Sequence, residues 1–250
     1  MATRRRGRRR GFLILALAIA AGCDTSPDAT EVFAEYRDRV EARLRTIEAI
    51  HAQAKKLPRV TEDRLGKLDP PPDLRRKNDG PGKAEFVEIA HLLQTDRKDL
   101  GLDFIVSYDV TVTTIATLVR DGHYPPPNTH LKLENVEGWI LREDLEGFLR
   151  LRYLFLIREV EVQKPSLLGK QEDKLETRKY LPGHYVGEVL AFDVESGKHL
   201  GGFSFRVETD PEVTVNTNYY LTDLWRSLAR KAAQRIEERT KELCPGALVD

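Results

Sequence analysis

The amino-acid sequence predicts an α+β fold: a mostly antiparallel sheet of three or more strands packed against N- and C-terminal amphipathic helices. Three observations carry this. Two long stretches, one near each end, repeat apolar residues at steps of three and four. Between them lie runs that are apolar throughout or alternate with a period of two. Turn-forming residues fall where those runs stop. The 250 residues are 40% apolar and 32% charged. That balance fits one or two folded domains and excludes a collagen-like, multispan-membrane or wholly disordered chain.

The first helix opens with Asp28 and Glu31 at capping-box spacing. Its stripe is Val32, Phe33, Tyr36, Val40, Leu44, Ile47, Ile50, Ala54 and Leu57, and Pro58 ends it. Glu35/Arg39 and Glu41/Arg45 are favourable i,i+4 pairs on its wet side. An amphipathic helix of this kind has two options, a bilayer surface or the domain. The many acids on its polar face favour packing onto the domain. Residues 58–83 read as a linker, because Asp69-Pro70-Pro71-Pro72 and Asn78-Asp79-Gly80-Pro81-Gly82 support neither a helix nor a central strand. The folded α+β domain is then expected over 84–250.

Residues 86–93 fit a short strand or a helix. Over 104–121 both periods are present, but helical spacing persists longer through Phe104, Ile105, Tyr108, Val112, Ile115, Leu118 and Val119. A helix over 107–120, ended by Gly122, is expected. A second proline loop, Tyr124-Pro125-Pro126-Pro127-Asn128, follows. Val136, Trp139, Ile140, Leu145, Phe148 and Leu149 predict a helix over 136–149.

Tyr153 to Ile157 is apolar on both faces, and Val160 and Val162 then alternate with Glu159 and Glu161. That describes a central strand whose far end reaches water. Pro165 closes it, and polar residues 164–179 read as a loop. Residues 185–194 and 199–207 form a hairpin around Glu195-Ser196-Gly197-Lys198, where Gly197 supplies a positive φ. Gly201-Gly202 marks a bulge or a close backbone contact. A last helix runs from about 218 to 243 on Leu221, Leu224, Trp225, Leu228, Ala232, Ile236 and Leu243, with Trp225 as an anchor against the sheet. The order of elements suggests helices over one sheet face.

The formal net charge of zero averages two unlike pieces. Arg4, Arg5, Arg6, Arg8, Arg9 and Arg10 put six positive charges in residues 1–22, which hold no acid. Residues 23–250 keep 34 basic against 40 acidic groups, a net of −6. The basic run precedes Phe12-Leu13-Ile14-Leu15-Ala16-Leu17-Ala18-Ile19-Ala20-Ala21 and then Gly22-Cys23. Such an apolar run is too short for a bilayer-spanning helix and has the three-part plan of a secretory signal peptide.

Ala20-Ala21-Gly22-Cys23 resembles the lipobox of bacterial lipoprotein precursors, with Ala20 where Leu is usual. The resemblance covers residues 1–23 and extends to no family for the mature domain. It implies cleavage between Gly22 and Cys23, and diacylglycerol and palmitate on Cys23. The mature protein would then be a periplasmic or cell-envelope lipoprotein, anchored to the inner or outer membrane with its domain outside the cytoplasm. Arg9-Arg10-Gly11-Phe12-Leu13 resembles a twin-arginine export pattern, so the export route stays open. Asp24 follows the Cys, the residue that favours inner-membrane retention in enteric bacteria. Only Asp24-Thr25-Ser26-Pro27 separates Cys23 from the first helix, a reach of about 15 Å when extended. With Cys23 lipidated, Cys244 has no intramolecular partner.

Chemistry is sparse. His51, His91, His123, His130, His184 and His199 form no H-E-x-x-H or paired Cys/His pattern. The one suggestive set is His123 and His130 across Pro125-Pro126-Pro127, with Asp121 as a third ligand. It would suit an envelope metal-dependent hydrolase, although isolated loop histidines are usually solvated. A lipid carrier with a site between helix and sheet is a further alternative. Gly202-Phe203-Ser204 starts a nucleophile-elbow pattern, but Arg206 occupies the final glycine position. Cys244 sits at a helix C-terminus, where the dipole disfavours a thiolate. Neighbouring acids such as Glu143/Asp144 and Glu237/Glu238 point about 100° apart on a helix and are not acid/base pairs. No Walker A loop or dinucleotide fingerprint occurs, and the acidic mature chain argues against nucleic acid. The expectation is a binding or scaffold module with no cofactor and no catalytic activity, partnered by the membrane and by an envelope protein.

Overall fold

The computed structural model describes residues 27–74, 82–90, 92, 111–124, 131–168, 179–209 and 220–248. Helix α1 (Ala29–Ala54) starts where Asp28 is extended and its carboxylate accepts the Thr30 amide at 2.8 Å. This satisfies one of the free N–H groups of the first turn. Seven positions of its predicted stripe are buried, Val32, Tyr36, Val40, Leu44, Ile47, Ile50 and Ala54, and so is Ala29.

Within the stretch expected to be a linker, Arg64–Leu65 forms strand β1, and Leu68 and Asp73 are buried. Strand β2 (Ala84–Glu88) resolves the ambiguity over 86–93 in favour of a strand. Helix α2 (Thr111–Asp121) matches the helical reading of 104–121, whose earlier positions lie outside the described residues. Short strands β3 (His123–Tyr124) and β4 (Leu131–Lys132) pair antiparallel. A 3-10 turn at Leu133–Asn135 then leads into helix α3 (Gly138–Arg150). Strand β5 (Tyr153–Gln163) is buried over its first five residues and alternates afterwards, as its sequence predicts.

The polar segment 164–179 is not loop throughout. Ser166–Leu168 forms β6 and pairs with β7 (Lys179–Leu181). This pairing stands outside the main sheet, so it leaves no strong hydrophobic period to read. Strands β8 (His184–Asp193) and β9 (His199–Glu208) are the expected hairpin, and helix α4 (Tyr220–Leu243) follows. Gly197 has φ +68° in the hairpin loop. Gly201 has φ +112°, and a Cβ there would lie 2.2 Å from the Arg64 carbonyl oxygen. The ladder shifts register beside it, between Ala191 and Phe192. Both expectations for Gly201-Gly202, bulge and close backbone contact, therefore hold.

The main sheet has five strands in the order β1-β9-β8-β5-β2. Only β2 on β5 is parallel, with Phe86 opposite Phe155. The expectation of helices over one sheet face is corrected. Leu154, Leu156, Leu190, Phe192 and Val87 face α1, α2 and α3. Phe155, Ile157, Val189, Ala191, Phe203 and Phe205 face Leu228, Ala229, Ala232 and Ile236 of α4. The cause is that β5 and β8 are apolar on both faces, and each face needs its own cover. Full burial of each such side chain stabilises the fold by about 1.5–3 kcal/mol.

Helices α1 and α3 lie side by side and run the same way. Asp28 bridges Glu137 at one end, Arg142 meets Glu35 at 3.0 Å, and Tyr36 Oη donates to Glu146 at 2.9 Å. At the far end Arg43 donates to the carbonyls of Leu149 (3.3 Å) and Leu151. Parallel helices bring like dipole ends together. At the paired N-termini Asp28 and Glu31 oppose that repulsion, and Arg43, from the middle of α1, meets the C-terminus of α3.

Candidate functional site

Gly22 and Cys23, the expected cleavage and lipidation residues, lie outside the described residues. The described chain begins at Pro27, beside the N-terminus of α3. Gly138 is pressed against it so closely that a Cβ would sit 1.9 Å from the Pro27 carbonyl oxygen. The next residue, Trp139, is 54% exposed, and its Nε1–H donates to Glu137. Trp139 belongs to the predicted helix but not to its buried stripe.

The set proposed for metal is only partly described. Asp121 ends α2 and His123 opens β3, both exposed, whereas His130 lies outside the described residues. Among the described residues no group of three or more His, Cys, Asp or Glu side chains is placed to hold a metal ion. The other described histidines are tied down. His51 contacts the Ile89 carbonyl at 2.9 Å, His184 pairs with Glu161 at 2.8 Å, and His199 packs on Phe192 with ring centroids 5.1 Å apart. Burial pushes the imidazoles of His51 and His199 below their ordinary pKa. His91 lies outside the described residues.

Ser204 is bound to a carboxylate that Arg239 also engages. Its hydroxyl and its amide both donate to Asp63, at 3.1 and 2.8 Å. Cys244 is buried, and burial raises its thiol pKa, which keeps the sulfur protonated.

The polar groups that the fold does bring together form clamps. Arg158 lies in the centre of β5 and Glu188 opposite it in β8. The Arg158 Nε donates to Glu188 at 2.8 Å, and its terminal nitrogens donate to the carbonyls of Leu57 and Pro58 at 2.7 Å. Glu188 also accepts the Val60 amide at 3.0 Å. The pair therefore holds the chain leaving α1 against the sheet, and Arg158 also reaches the last carbonyl of the helix, that of Ala54, at 3.4 Å.

Asp63 plays a similar part on the opposite side, joining Ser204 of β9 to Arg239 of α4. Burial alone would raise its carboxyl pKa. The Ser204 amide, the Arg239 guanidinium and the Ser204 hydroxyl together hold it below the ordinary value. Arg152 reaches Asp193 at 2.7 Å and also pairs with Glu195. Nearby, burial lowers the pKa of Arg43, opposed by Asp193 and reinforced by Arg152.

Sequence reasoning passed over these clamps. The available signal was a single charge inside the apolar run of β8, Glu188, and a charge directly after the apolar run of β5, Arg158. A shallow open groove of about 290 Å³ is lined by Val207, Glu208, Lys231, Gln234, Arg235 and Glu238. Its lining mixes both charge signs and holds no nucleophile.

Among the described residues no helix is long and apolar enough to cross a membrane. In comparisons with known proteins, no family model, curated sequence or solved structure matches this chain.

Proposed function

We propose that this chain is a bacterial envelope lipoprotein, tethered by lipid on Cys23, whose folded part is a non-catalytic binding or scaffold module. The observation that carries the reading is the order of the N-terminal segment: Arg4–Arg10, an uncharged apolar run, then Ala20-Ala21-Gly22-Cys23. The described polar clusters support the second half of it. They hold elements together, and Asp63, the carboxylate that meets the Ser204 hydroxyl, is also bound by Arg239 and held below its ordinary pKa, which makes it a weak base.

Expression of the full chain in a lipoprotein-processing bacterium tests the reading. Wild type is expected in the membrane fraction, with the Cys23 peptide carrying the mass of diacylglycerol and an acyl chain. Cys23→Ser is expected in the soluble fraction, because the acyl chains supply about 0.8 kcal/mol of membrane affinity per buried CH₂. An unmodified Cys23 in the wild-type protein refutes the anchor. Replacing His123 and His130 with Ala is expected to leave metal content unchanged.

A further inference from the structure

We propose that the end of the domain carrying Trp139 rests on the bilayer, with the indole of Trp139 in the headgroup zone of a zwitterionic, phosphatidylethanolamine-rich membrane. This rests on the anchoring of Cys23 proposed above.

Trp139 is the most exposed large apolar side chain among the described residues, at 54%. A Trp side chain contributes 150–250 Å² to a core or interface, so leaving more than half of one in water forgoes a large stabilisation. Its single polar group is already satisfied by Glu137. What faces outward is apolar ring. An amphipathic ring with one end satisfied and the other apolar is the chemistry that favours the membrane–water interface.

Position supplies the occupant. Gly138 packs on the Pro27 carbonyl and Asp28 bridges Glu137, so Trp139 is fixed beside the point where the chain enters the domain. From there only residues 24–26 separate Pro27 from Cys23. Fully extended, that chain spans about 15 Å. An anchored Cys23 therefore keeps this end within reach of the headgroups. The parallel packing of α1 and α3 fixes the same end as the meeting point of two helix N-termini.

Charge selects the lipid. Asp28, Glu31, Glu134 and Glu137 lie on the segments flanking Trp139. Lys132 offsets Glu134 at 3.7 Å and Arg142 offsets Glu35 at 3.0 Å, which leaves Asp28, Glu31 and Glu137 as the excess. The acid excess repels anionic headgroups and tolerates zwitterionic ones.

The test uses the lipidated full chain carrying Trp225→Phe, which leaves Trp139 as the only indole, since the chain has two Trp. It is reconstituted in phosphatidylethanolamine/phosphatidylcholine vesicles with or without brominated acyl chains. Circular dichroism and the reverse variant, Trp139→Phe with Trp225 retained, check that the fold survives and that quenching belongs to Trp139. Brominated lipid is expected to remove at least half of the Trp139 emission and to spare Trp225. Replacing a third of the lipid with phosphatidylglycerol is expected to weaken that quenching. A vesicle-bound protein whose Trp139 is unquenched, or quenched equally in anionic vesicles, overturns the proposal and leaves the anchor standing. A wild-type chain that fails to float with vesicles overturns the anchor itself, and the proposal with it.

Discussion

The two faces of the sheet are covered in different ways. On one face, three helices pack together, and α1 and α3 are tied to each other as well as to the strands. On the other, α4 is the one described helix, and its ties run to β9 and to Asp63 of the segment before β1. Helix–helix packing and helix–sheet packing therefore share the work on the first face. Among the described residues the second face has no helix–helix packing, and α4, the strands and connecting-segment residues such as Leu68 and Leu74 cover it. The α4 layer should therefore open first.

The largest effects come from adjacent core residues on opposite faces. Phe155→Ala, under α4, is expected to cost about 3–5 kcal/mol, and Leu154→Ala, under the helix trio, about 2–5 kcal/mol. Denaturant titration measures the totals and amide exchange locates them. Phe155→Ala should speed exchange in α4 while α1 stays protected. Equal loosening of both layers by either variant would break the comparison.

Arg158→Met comes next, at about 3 kcal/mol, because it strands the Glu188 carboxylate in a buried site. A thermal melt of Arg158→Met/Glu188→Gln should recover part of the loss. Asp28→Ala removes the cap of α1 and should cost about 1 kcal/mol, read from the unfolding midpoint.

Acid should separate the faces by degree. His51 and His199 serve the helix-trio side, and burial holds both below the unfolded imidazole value of about 6.5. The unfolded chain takes up protons first, so stability is whole above that value and declines as pH falls through it. Asp63, on the α4 side, is held below the unfolded carboxylate value of about 4, so its share is lost only as pH falls through that lower range. Unfolding free energies at pH 8, 5.5 and 3.5 check this. Loss of the Asp63 share already at pH 5.5 would contradict it.

Local signals explain which elements were legible. The Asp28 cap and the unbroken stripe to Ala54 specify α1 without help from the rest of the chain. The β8–β9 hairpin is equally local, because Gly197 and Gly201 mark its turn and its bulge. Strand β2 was ambiguous because five residues buried on both faces have no period, and its parallel partner lies 69 residues away. Strand β1 is two residues long and takes its form from the edge of β9.

The allocation of helices to faces was visible in principle. A run like Tyr153 to Ile157 demands cover on both sides. The clamps were less legible, since neither Arg158 nor Glu188 announces its partner before the strands are placed in register. Of the site residues named from sequence, Gly22, Cys23 and His130 lie outside the described residues, and Asp121 and His123 are exposed.

The strand order carries a consequence for how the chain is made. The three central strands come from residues 153–208, while β1 and β2, from the first 88 residues, flank them at the two edges. The end of the chain closes the structure, since the Leu248 amide donates to the Pro72 carbonyl and the Leu248 carbonyl accepts the Leu74 amide. During synthesis the early third of the protein therefore has no sheet to join. Until residues 153–208 are present, β1 and β2 lack the strands of the main sheet that they pair with, β9 and β5.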